Sequence, residues 1–173
     1  MEIRKCKIEE VEAVGNFYDK VVKHLCETVN YPKWTYKVYP SVDFTREMTL
    51  AGEQYVCFEN GKLVGAFVFN DDPQGEYEKA NWGRNLKRGE YGVCHALAIS
   101  TALQGQGLGK QIVEFCIKLA KELGYKAIRL DVVPTNTPAR KLYEKCGFRY
   151  VGDADLDRGY EDIPVFSLLE LNF

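Results

Sequence analysis

The strongest constraint on the fold of this chain is a glycine-rich stretch at residues 104–110, Gln-Gly-Gln-Gly-Leu-Gly-Lys. It lies between a short apolar stretch that is typical of a β-strand and a long amphipathic stretch that is typical of a helix. Glycine adopts positive φ without steric cost, and a helix N-terminus offers N–H groups and the positive end of its dipole. The stretch therefore predicts a strand-turn-helix unit whose turn can hold a phosphate group. A tight connection without a ligand is the alternative.

Two common phosphate-binding loops do not fit this spacing. A Walker loop needs a glycine five residues before its Gly-Lys pair and a Ser or Thr after it, but Gln104 and Gln111 occupy those places. The dinucleotide loop G-x-G-x-x-G also fails, because Lys110 or Ile112 stands where its last glycine would be. The pattern that does fit is Gln-x-x-Gly-x-Gly.

Length and composition exclude several classes of protein. At 173 residues with 46% hydrophobic content, the chain is expected to form a single domain spanning residues 1–173. A net charge of −2 offers no basic field, so we expect no nucleic-acid partner. No apolar run is long enough to span a bilayer and residues 1–6 lack the apolar stretch of a secretory signal, so we expect no membrane partner. The six cysteines form no C-x-x-C pair, which favours a cytoplasmic protein with reduced thiols. We expect no metal cofactor.

The apolar pattern alternates between strand and helix along the chain. It predicts strands at residues 2–6, 54–59, 62–70, 91–99, 126–133, 148–152 and 165–173, and helices at 8–28, 43–51, from the glycine loop to Gly124, and from Thr137 to Gly147. Asn60-Gly61 predicts a tight hairpin, and residues 71–89 a loop. In the helix after the glycine loop, the predicted buried stripe consists of Leu108, Ile112, Phe115, Leu119 and Leu123. Thr137 is the predicted N-cap of the last helix.

A second motif lies at residues 136–148, Asn-Thr-Pro-Ala-Arg-Lys-Leu-Tyr-Glu-Lys-Cys-Gly-Phe. It resembles the motif N-x-x-A-x-x-L-Y-x-x-x-G-F of the GNAT N-acetyltransferases at every fixed position, and Gln-x-x-Gly-x-Gly resembles their pyrophosphate loop. The resemblance is firm from Tyr91 to Phe148. It implies an α/β (α+β) GNAT fold, with a mixed, mostly antiparallel sheet of about seven strands flanked by helices. It also implies a splay between the fourth and fifth strands, where acetyl-CoA enters.

The resemblance implies a role for each matching residue. Leu97, Ala98 and Ile99 would offer backbone groups to the pantetheine arm of acetyl-CoA, and their N–H groups would polarise the acetyl carbonyl. The pyrophosphate would be held by Gln104, Gly105, Gln106, Gly107, Leu108, Gly109 and Lys110. Asn136 would contact the cofactor arm. Tyr143 would protonate the departing thiolate, with packing in the core as the alternative.

The implied acceptor is a primary amine of a small molecule. Its ammonium form must lose a proton before the nitrogen attacks the thioester. His95 is a candidate base because it lies on the strand that would hold the thioester, and strand alternation predicts that it shares a face with Leu97. Asp131 is the second candidate, five residues before Asn136, and transfer through water is the third. A monomer or a homodimer is expected.

An aromatic segment at residues 29–52 carries no family motif and is the predicted acceptor-facing insertion. Trp34 and Tyr36 in this segment, together with Trp82 in the 71–89 loop, are the predicted substrate contacts. The alternative is that these aromatic side chains cover one end of the core. Two other functions stay open: acetylation of protein or peptide amines, and a non-catalytic acyl-CoA-binding module.

Overall fold

The computed structural model describes residues 1–173 and contains one mixed seven-stranded sheet with four α-helices. The strands are β1 Glu2–Lys5, β2 Gln54–Glu59, β3 Lys62–Asn70, β4 Tyr91–Ile99, β5 Ala127–Val132, β6 Arg149–Ala154 and β7 Phe166–Asn172. The helices are α1 Val11–Glu27, α2 Val42–Leu50, α3 Leu108–Glu122 and α4 Thr137–Lys145. Each of these elements was predicted from the sequence, with bounds that differ by a few residues at most.

The strands follow the order β1-β2-β3-β4-β5-β7-β6 across the sheet. The pairs β1/β2, β2/β3, β5/β7 and β6/β7 are antiparallel, whereas β4 and β5 are parallel. The parallel pairing joins only residues 91–93 to residues 127–129, at the start of both strands, and both strands continue beyond it. This mixed sheet, flanked by helices, confirms the predicted α/β fold.

The chain forms two compact units, one of residues 1–69 and 95–112 and the other of residues 70–94 and 113–173. The core of the first unit combines one face of α1 with side chains from β2, β3 and β4, among them Val14, Tyr18, Val21, Val56, Ala66, Ala96 and Ala98. Gly15 lets α1 and α2 cross closely, because a Cβ at this position would lie 2.4 Å from Val42 Cγ2.

An ion pair fixes the connection from β1 to α1 in the first unit. The Arg4 guanidinium donates to both carboxylate oxygens of Glu10, at 2.8 and 2.6 Å, and the backbone N–H of Lys7 donates to the same carboxylate at 2.9 Å. The hydrogen bond from Arg4 is the main reason that the pKa of Glu10 falls to about 2. The charged form of Glu10 therefore stabilises this connection at neutral pH.

The second unit is built around a buried cation. Arg129 lies on β5, is 1% exposed, and pairs with Glu170 of β7 at 3.0 Å. Its guanidinium lies 4.5 Å from the centre of the Trp82 ring and 4.3 Å from that of Tyr91, which gives cation–π contacts to both. Removing one member of such a buried pair costs about 3–5 kcal/mol, because the other charge is left without its partner.

Two details of the predicted helices are wrong. Asn136, not Thr137, is the N-cap of α4: its side-chain oxygen accepts a hydrogen bond from the Ala139 N–H at 3.3 Å, and Thr137 is the first helical residue. Leu123 follows the end of α3 and is 57% exposed, so the buried side of α3 consists of Leu108, Ile112, Val113, Cys116 and Ala120. None of the helices is both long and apolar enough to cross a membrane.

Candidate functional site

The predicted site residues divide between the two units. The first unit contains Trp34, Tyr36, His95, Leu97, Ala98, Ile99 and residues 104–110, and the second contains Trp82, Asp131, Asn136 and Tyr143. The second unit also contains Tyr77 and Arg158, which hydrogen-bond to Asp131 and were not predicted from the sequence.

The glycine loop lies between the end of β4 and the start of α3, as predicted. Gly105 has φ of 80° and Gly107 has φ of 83°, a region that glycine occupies without steric cost. A Cβ built on either residue would meet no atom within 4 Å. Glycine is therefore favoured at these positions by the backbone conformation and not by close packing. The space above both residues is open to a ligand.

The start of α3 supplies hydrogen-bond donors beside this loop. The Gln111 N–H donates to the Gly107 carbonyl at 3.2 Å, which makes it the first N–H of the helix with a partner four residues back. The N–H groups of Leu108, Gly109 and Lys110 belong to the first turn of the helix, ahead of that bond. These donors and the positive end of the helix dipole suit an anion. The loop therefore fits a pyrophosphate group.

A left-handed residue interrupts β4 next to the predicted acetyl-binding positions. Ala96 has φ of 48°, a conformation that costs a residue with a side chain about 1–2 kcal/mol. The buried hydroxyl of Tyr18 donates to the Ala96 carbonyl at 3.0 Å. Because a left-handed residue lies between His95 and Leu97, strand alternation alone does not place their side chains on one face, and that expectation stays a prediction. His95 itself is buried, at 9% exposure.

Asp131 is held by two side chains of its own unit. Its carboxylate accepts from the Arg158 guanidinium at 2.7 and 2.8 Å and from the Tyr77 hydroxyl at 2.6 Å. Burial is the largest cause that raises the pKa of Tyr77 well above its ordinary value, followed by the charge of Asp131. Proton uptake by Asp131 would weaken the pairing with Arg158. The structure therefore makes Asp131 less suited to act as a base than its sequence position indicates.

Tyr143 lies on α4 and is 8% exposed. Its ring centre is 5.7 Å from that of Phe148, so it contributes to the packing of the second unit. Burial is the main cause that raises the pKa of Tyr143 well above its ordinary value, and the thiols of Cys94 and Cys116 add to the effect. The phenol therefore keeps its proton at neutral pH, as a hydrogen-bond donor requires.

The three predicted acceptor contacts have different surroundings. Trp34 packs against the core of the first unit and contacts Tyr39 edge-on at 6.2 Å, which supports the alternative that it covers the core. Tyr36 is 41% exposed, with the Lys37 ammonium 5.6 Å from its ring centre. Trp82 stacks on Arg129 and donates from its indole N–H to the Tyr77 carbonyl at 2.7 Å. Of the three, Tyr36 has the most exposed ring.

A pocket of about 330 Å³ opens in the second unit and was not predicted. Its lining includes the carboxylates of Asp72, Glu76 and Glu78 and one cation, Arg88, which pairs with Asp72 at 3.2 Å. Tyr77, whose hydroxyl donates to Asp131, also lines it. Three carboxylates against one guanidinium favour a cationic ligand over an anionic one. No group of three or more metal-ligating side chains occurs in the structure.

Comparison with known sequences identifies a family that matches most of the chain. The sequence model of the acetyltransferase (GNAT) family matches residues 22–148. The uncharacterised N-acetyltransferase YvbK of Bacillus subtilis is 30% identical over 129 residues, which cover 74% of each chain. The streptothricin acetyltransferase of Escherichia coli is 31% identical over 98 residues, and the peptidyl-lysine N-acetyltransferase YjaB of Salmonella typhimurium is 33% identical over 87 residues. These matches cover 57% and 50% of this chain and only 52% and 55% of the two relatives.

Solved structures share the fold over nearly the whole chain. A GNAT-family acetyltransferase from Streptococcus agalactiae superposes with a TM-score of 0.80 at 21% identity, over 99% of this chain and 95% of the other. An acetyltransferase described as yncA from Salmonella typhimurium, solved with acetyl-CoA, superposes with a TM-score of 0.69 at 17% identity, over 99% of this chain and 93% of the other. At these identities the likeness establishes the fold.

Proposed function

Because the chain belongs to the GNAT acetyltransferase family, we propose that it transfers the acetyl group of acetyl-CoA to a primary amine of a small molecule. The observation that carries the proposal is the glycine loop at the start of α3, where two left-handed glycines lie under open space beside the N-terminus of the helix. Such a loop binds the pyrophosphate of a coenzyme without a cluster of arginines. Acetyl-CoA supplies the acetyl group as an activated thioester.

We assign each part of the coenzyme to residues of the glycine loop, of β4 or of the α4 N-terminus. The backbone N–H groups of residues 105–110 would bind the pyrophosphate, with the exposed Gln104, Gln106 and Lys110 side chains around it. The backbone of Leu97, Ala98 and Ile99 would pair with the pantetheine arm as an added strand does. The Asn136 oxygen is engaged in capping α4, so the NH₂ group of that amide is the part that we assign to the arm.

The acceptor must lose a proton before it attacks. An alkylamine with a pKa near 10.4 is neutral in only about one molecule in a thousand near pH 7.4. We assign the base to His95, since imidazole takes up a proton near neutral pH and the residue lies beside the left-handed turn of β4. Asp131 is the weaker candidate, because both of its oxygens accept hydrogen bonds from Arg158 and Tyr77. Proton transfer through water is the remaining route.

We assign Tyr143 to the leaving thiolate. A thiol has an ordinary pKa near 8.5, and the pKa of Tyr143 lies well above 10. Full proton transfer from the phenol to the sulfur is therefore unfavourable, because the phenol holds its proton more tightly than a thiol does. Tyr143 accordingly acts by donating a hydrogen bond as negative charge develops on sulfur, and solvent completes the protonation.

The acidic pocket supports an amine as the acceptor. An ammonium group would be attracted by the carboxylates of Asp72, Glu76 and Glu78, whereas an acidic acceptor would be repelled. Two of the relatives named above differ in acceptor, which is streptothricin in one case and peptidyl lysine in the other. We favour a small molecule because pockets of a few hundred Å³ are the size at which small ligands are bound.

The experiment that tests the proposal is a thiol-release screen with acetyl-CoA against polyamines, amino acids, aminoglycosides and lysine peptides, with acetyl-CoA binding measured by calorimetry in parallel. We expect release with at least one small amine. Release with peptides alone would assign the protein to peptide acetylation. Binding of acetyl-CoA without release for any amine would identify an acyl-CoA-binding module, and no binding would overturn the proposal altogether.

A further inference from the structure

A buried hydrogen-bond chain joins α1 and β2 to the left-handed residue of β4. Tyr18 and Gln54 are both fully buried, and the Gln54 amide donates to the Tyr18 hydroxyl oxygen at 3.3 Å. The same nitrogen lies 2.9 Å from both the Tyr55 and the Phe67 carbonyl, so its two hydrogens are shared among three acceptors. The Tyr18 hydroxyl in turn donates to the Ala96 carbonyl at 3.0 Å. This Gln54–Tyr18 clasp therefore connects the backbone of β2 and β3 to the carbonyl of the left-handed residue of β4.

The geometry of the peptide bond determines what this clasp controls. The Ala96 carbonyl and the Leu97 N–H belong to the same planar peptide, and in the trans form they point in opposite directions. A hydrogen bond that fixes the carbonyl toward Tyr18 therefore fixes the Leu97 N–H away from Tyr18. Leu97 is the first of the three residues assigned above to the coenzyme arm and to the acetyl carbonyl.

The strain at Ala96 indicates why a clasp is needed. A residue with a side chain leaves the left-handed region unless the surrounding structure holds it there. Ala96 and Ala98 pack into the core of the first unit beside Val14 and Tyr18, so their side chains are anchored, but packing alone does not fix the rotation of the peptide between Ala96 and Leu97. The hydroxyl of Tyr18 supplies a directional contact to that peptide.

We propose that Tyr18, supported by Gln54, is a positioning residue that aims the Leu97 N–H at the thioester carbonyl of bound acetyl-CoA. This role rests on the proposed function, because it requires the coenzyme arm to lie along β4. Negative charge develops on the carbonyl oxygen during acyl transfer, and a preorganised N–H donor stabilises that charge. Tyr18 itself would touch neither substrate.

The test compares Tyr18→Phe with the wild type and with Thr45→Val. Thr45 is a matched control, since it is also fully buried in the first unit and its hydroxyl also donates to a backbone carbonyl, that of Ser41 at 2.8 Å. We expect Tyr18→Phe to lower kcat about tenfold or more while the dissociation constant of acetyl-CoA changes less than about threefold. Thr45→Val should lose a comparable amount of thermal stability and keep its kcat. A wild-type kcat in Tyr18→Phe, or an equal loss of kcat in Thr45→Val, would overturn the role.

A spectroscopic measurement makes the test independent of the acceptor. The infrared band of the thioester carbonyl in acetyl-CoA labelled with carbon-13 should shift on binding to the wild type and to Thr45→Val, and shift less on binding to Tyr18→Phe. An equal shift in all three proteins would overturn the positioning role while leaving the proposed function intact. A wild type that does not bind acetyl-CoA would overturn the proposed function, and the role of Tyr18 with it.

A double-mutant cycle shows whether Tyr18 acts through Ala96. Glycine adopts the left-handed conformation without the steric cost, so the loss of the Tyr18 hydroxyl should lower kcat less in an Ala96→Gly background than in the wild type. Independent, multiplicative effects of the two substitutions on kcat would contradict the proposal.

Discussion

Arg158 binds both carboxylate oxygens of Asp131, at 2.7 and 2.8 Å, although the two residues are 27 positions apart. Arg158 also donates to the carbonyls of Pro73 and Gln74, at 2.8 and 2.7 Å, so one guanidinium ties the segment before β7 and the segment after β3 to β5. Asp131 is thereby a structural residue of the second unit, whatever else it does.

Asp131→Asn should therefore lower the free energy of unfolding by about 2–4 kcal/mol, because the Arg158 cation is left without its anionic partner. Chemical denaturation measures this loss. Asp162→Asn is the control. Asp162 is an exposed carboxylate in the β6–β7 connection that contains Arg158, and its substitution should change the free energy of unfolding by less than about 0.5 kcal/mol. If Asp131→Asn is as stable as the wild type but inactive, Asp131 is a base and the assignment to His95 is wrong.

Gly107→Glu should abolish acetyl-CoA binding in a folded protein, since a side chain and a negative charge would fill the space above the loop. Calorimetric titration measures the affinity. Gly61→Glu is a matched control: Gly61 also has positive φ, at 72°, and also has nothing within 4 Å of a built Cβ, but it lies in the β2–β3 hairpin. Both variants carry the same backbone strain and charge, so equal affinity in the two would show that the loop does not bind pyrophosphate.

Tyr143→Phe should lower kcat by about 10- to 100-fold and leave the affinity for acetyl-CoA nearly unchanged, because it removes the donor for the leaving sulfur and keeps the ring. Steady-state kinetics and calorimetry measure the two quantities. Turnover at the wild-type level in Tyr143→Phe would make Tyr143 a packing residue only.

His95→Gln should remove most of the activity, together with the acidic limb of the pH profile of kcat/KM in the range where imidazoles titrate. Because His95 is buried, the melting temperature must be followed through the same pH series. A large drop in melting temperature with an unchanged profile would identify a structural histidine. A stable variant with the parent profile would leave water or Asp131 as the route for the proton.

The Arg4–Glu10 pair should make stability depend on acid pH. The pKa of Glu10 is lowered in the folded chain to about 2, so the stabilisation is complete above the ordinary carboxylate pKa near 4.3 and is lost as the pH falls toward 2. Both side chains are partly exposed, at 31% and 21%, so solvent screening reduces the effect to about 1 kcal/mol. Glu10→Gln should be less stable than the wild type by this amount at pH 7 and equally stable near pH 2. A constant difference across that range would contradict the assignment.

Much of the fold could be predicted because it is encoded locally. Asn60 and Gly61, with φ of 49° and 72°, form the hairpin turn that their residue types predict, and β2 and β3 have the predicted bounds. The strand-loop-helix arrangement around residues 104–110 also follows from local residue types, since glycine is needed where φ is positive. In contrast, Leu123 was misplaced because apolar periodicity does not show where a helix ends.

The residues that the sequence did not reveal are connected over long distances in the chain. Tyr18 and Ala96 are 78 positions apart, and an alanine within a strand-like run gives no sign of a left-handed conformation. Tyr77 and Asp131 are 54 positions apart, so nothing local distinguishes Tyr77 from the other tyrosines. Such pairings depend on which strands become neighbours, and a single sequence read by periodicity does not contain that information.

The chain has two tryptophans, Trp34 in the first unit and Trp82 in the second. Trp34 contacts Tyr39 and the core of its unit, and Trp82 lies over the Arg129 guanidinium, so the indole of each changes its surroundings when its own unit unfolds. Trp34→Phe and Trp82→Phe each leave one intrinsic fluorophore. The emission of these two variants during denaturation reports whether the two halves of the molecule melt together or one after the other, without any attached dye.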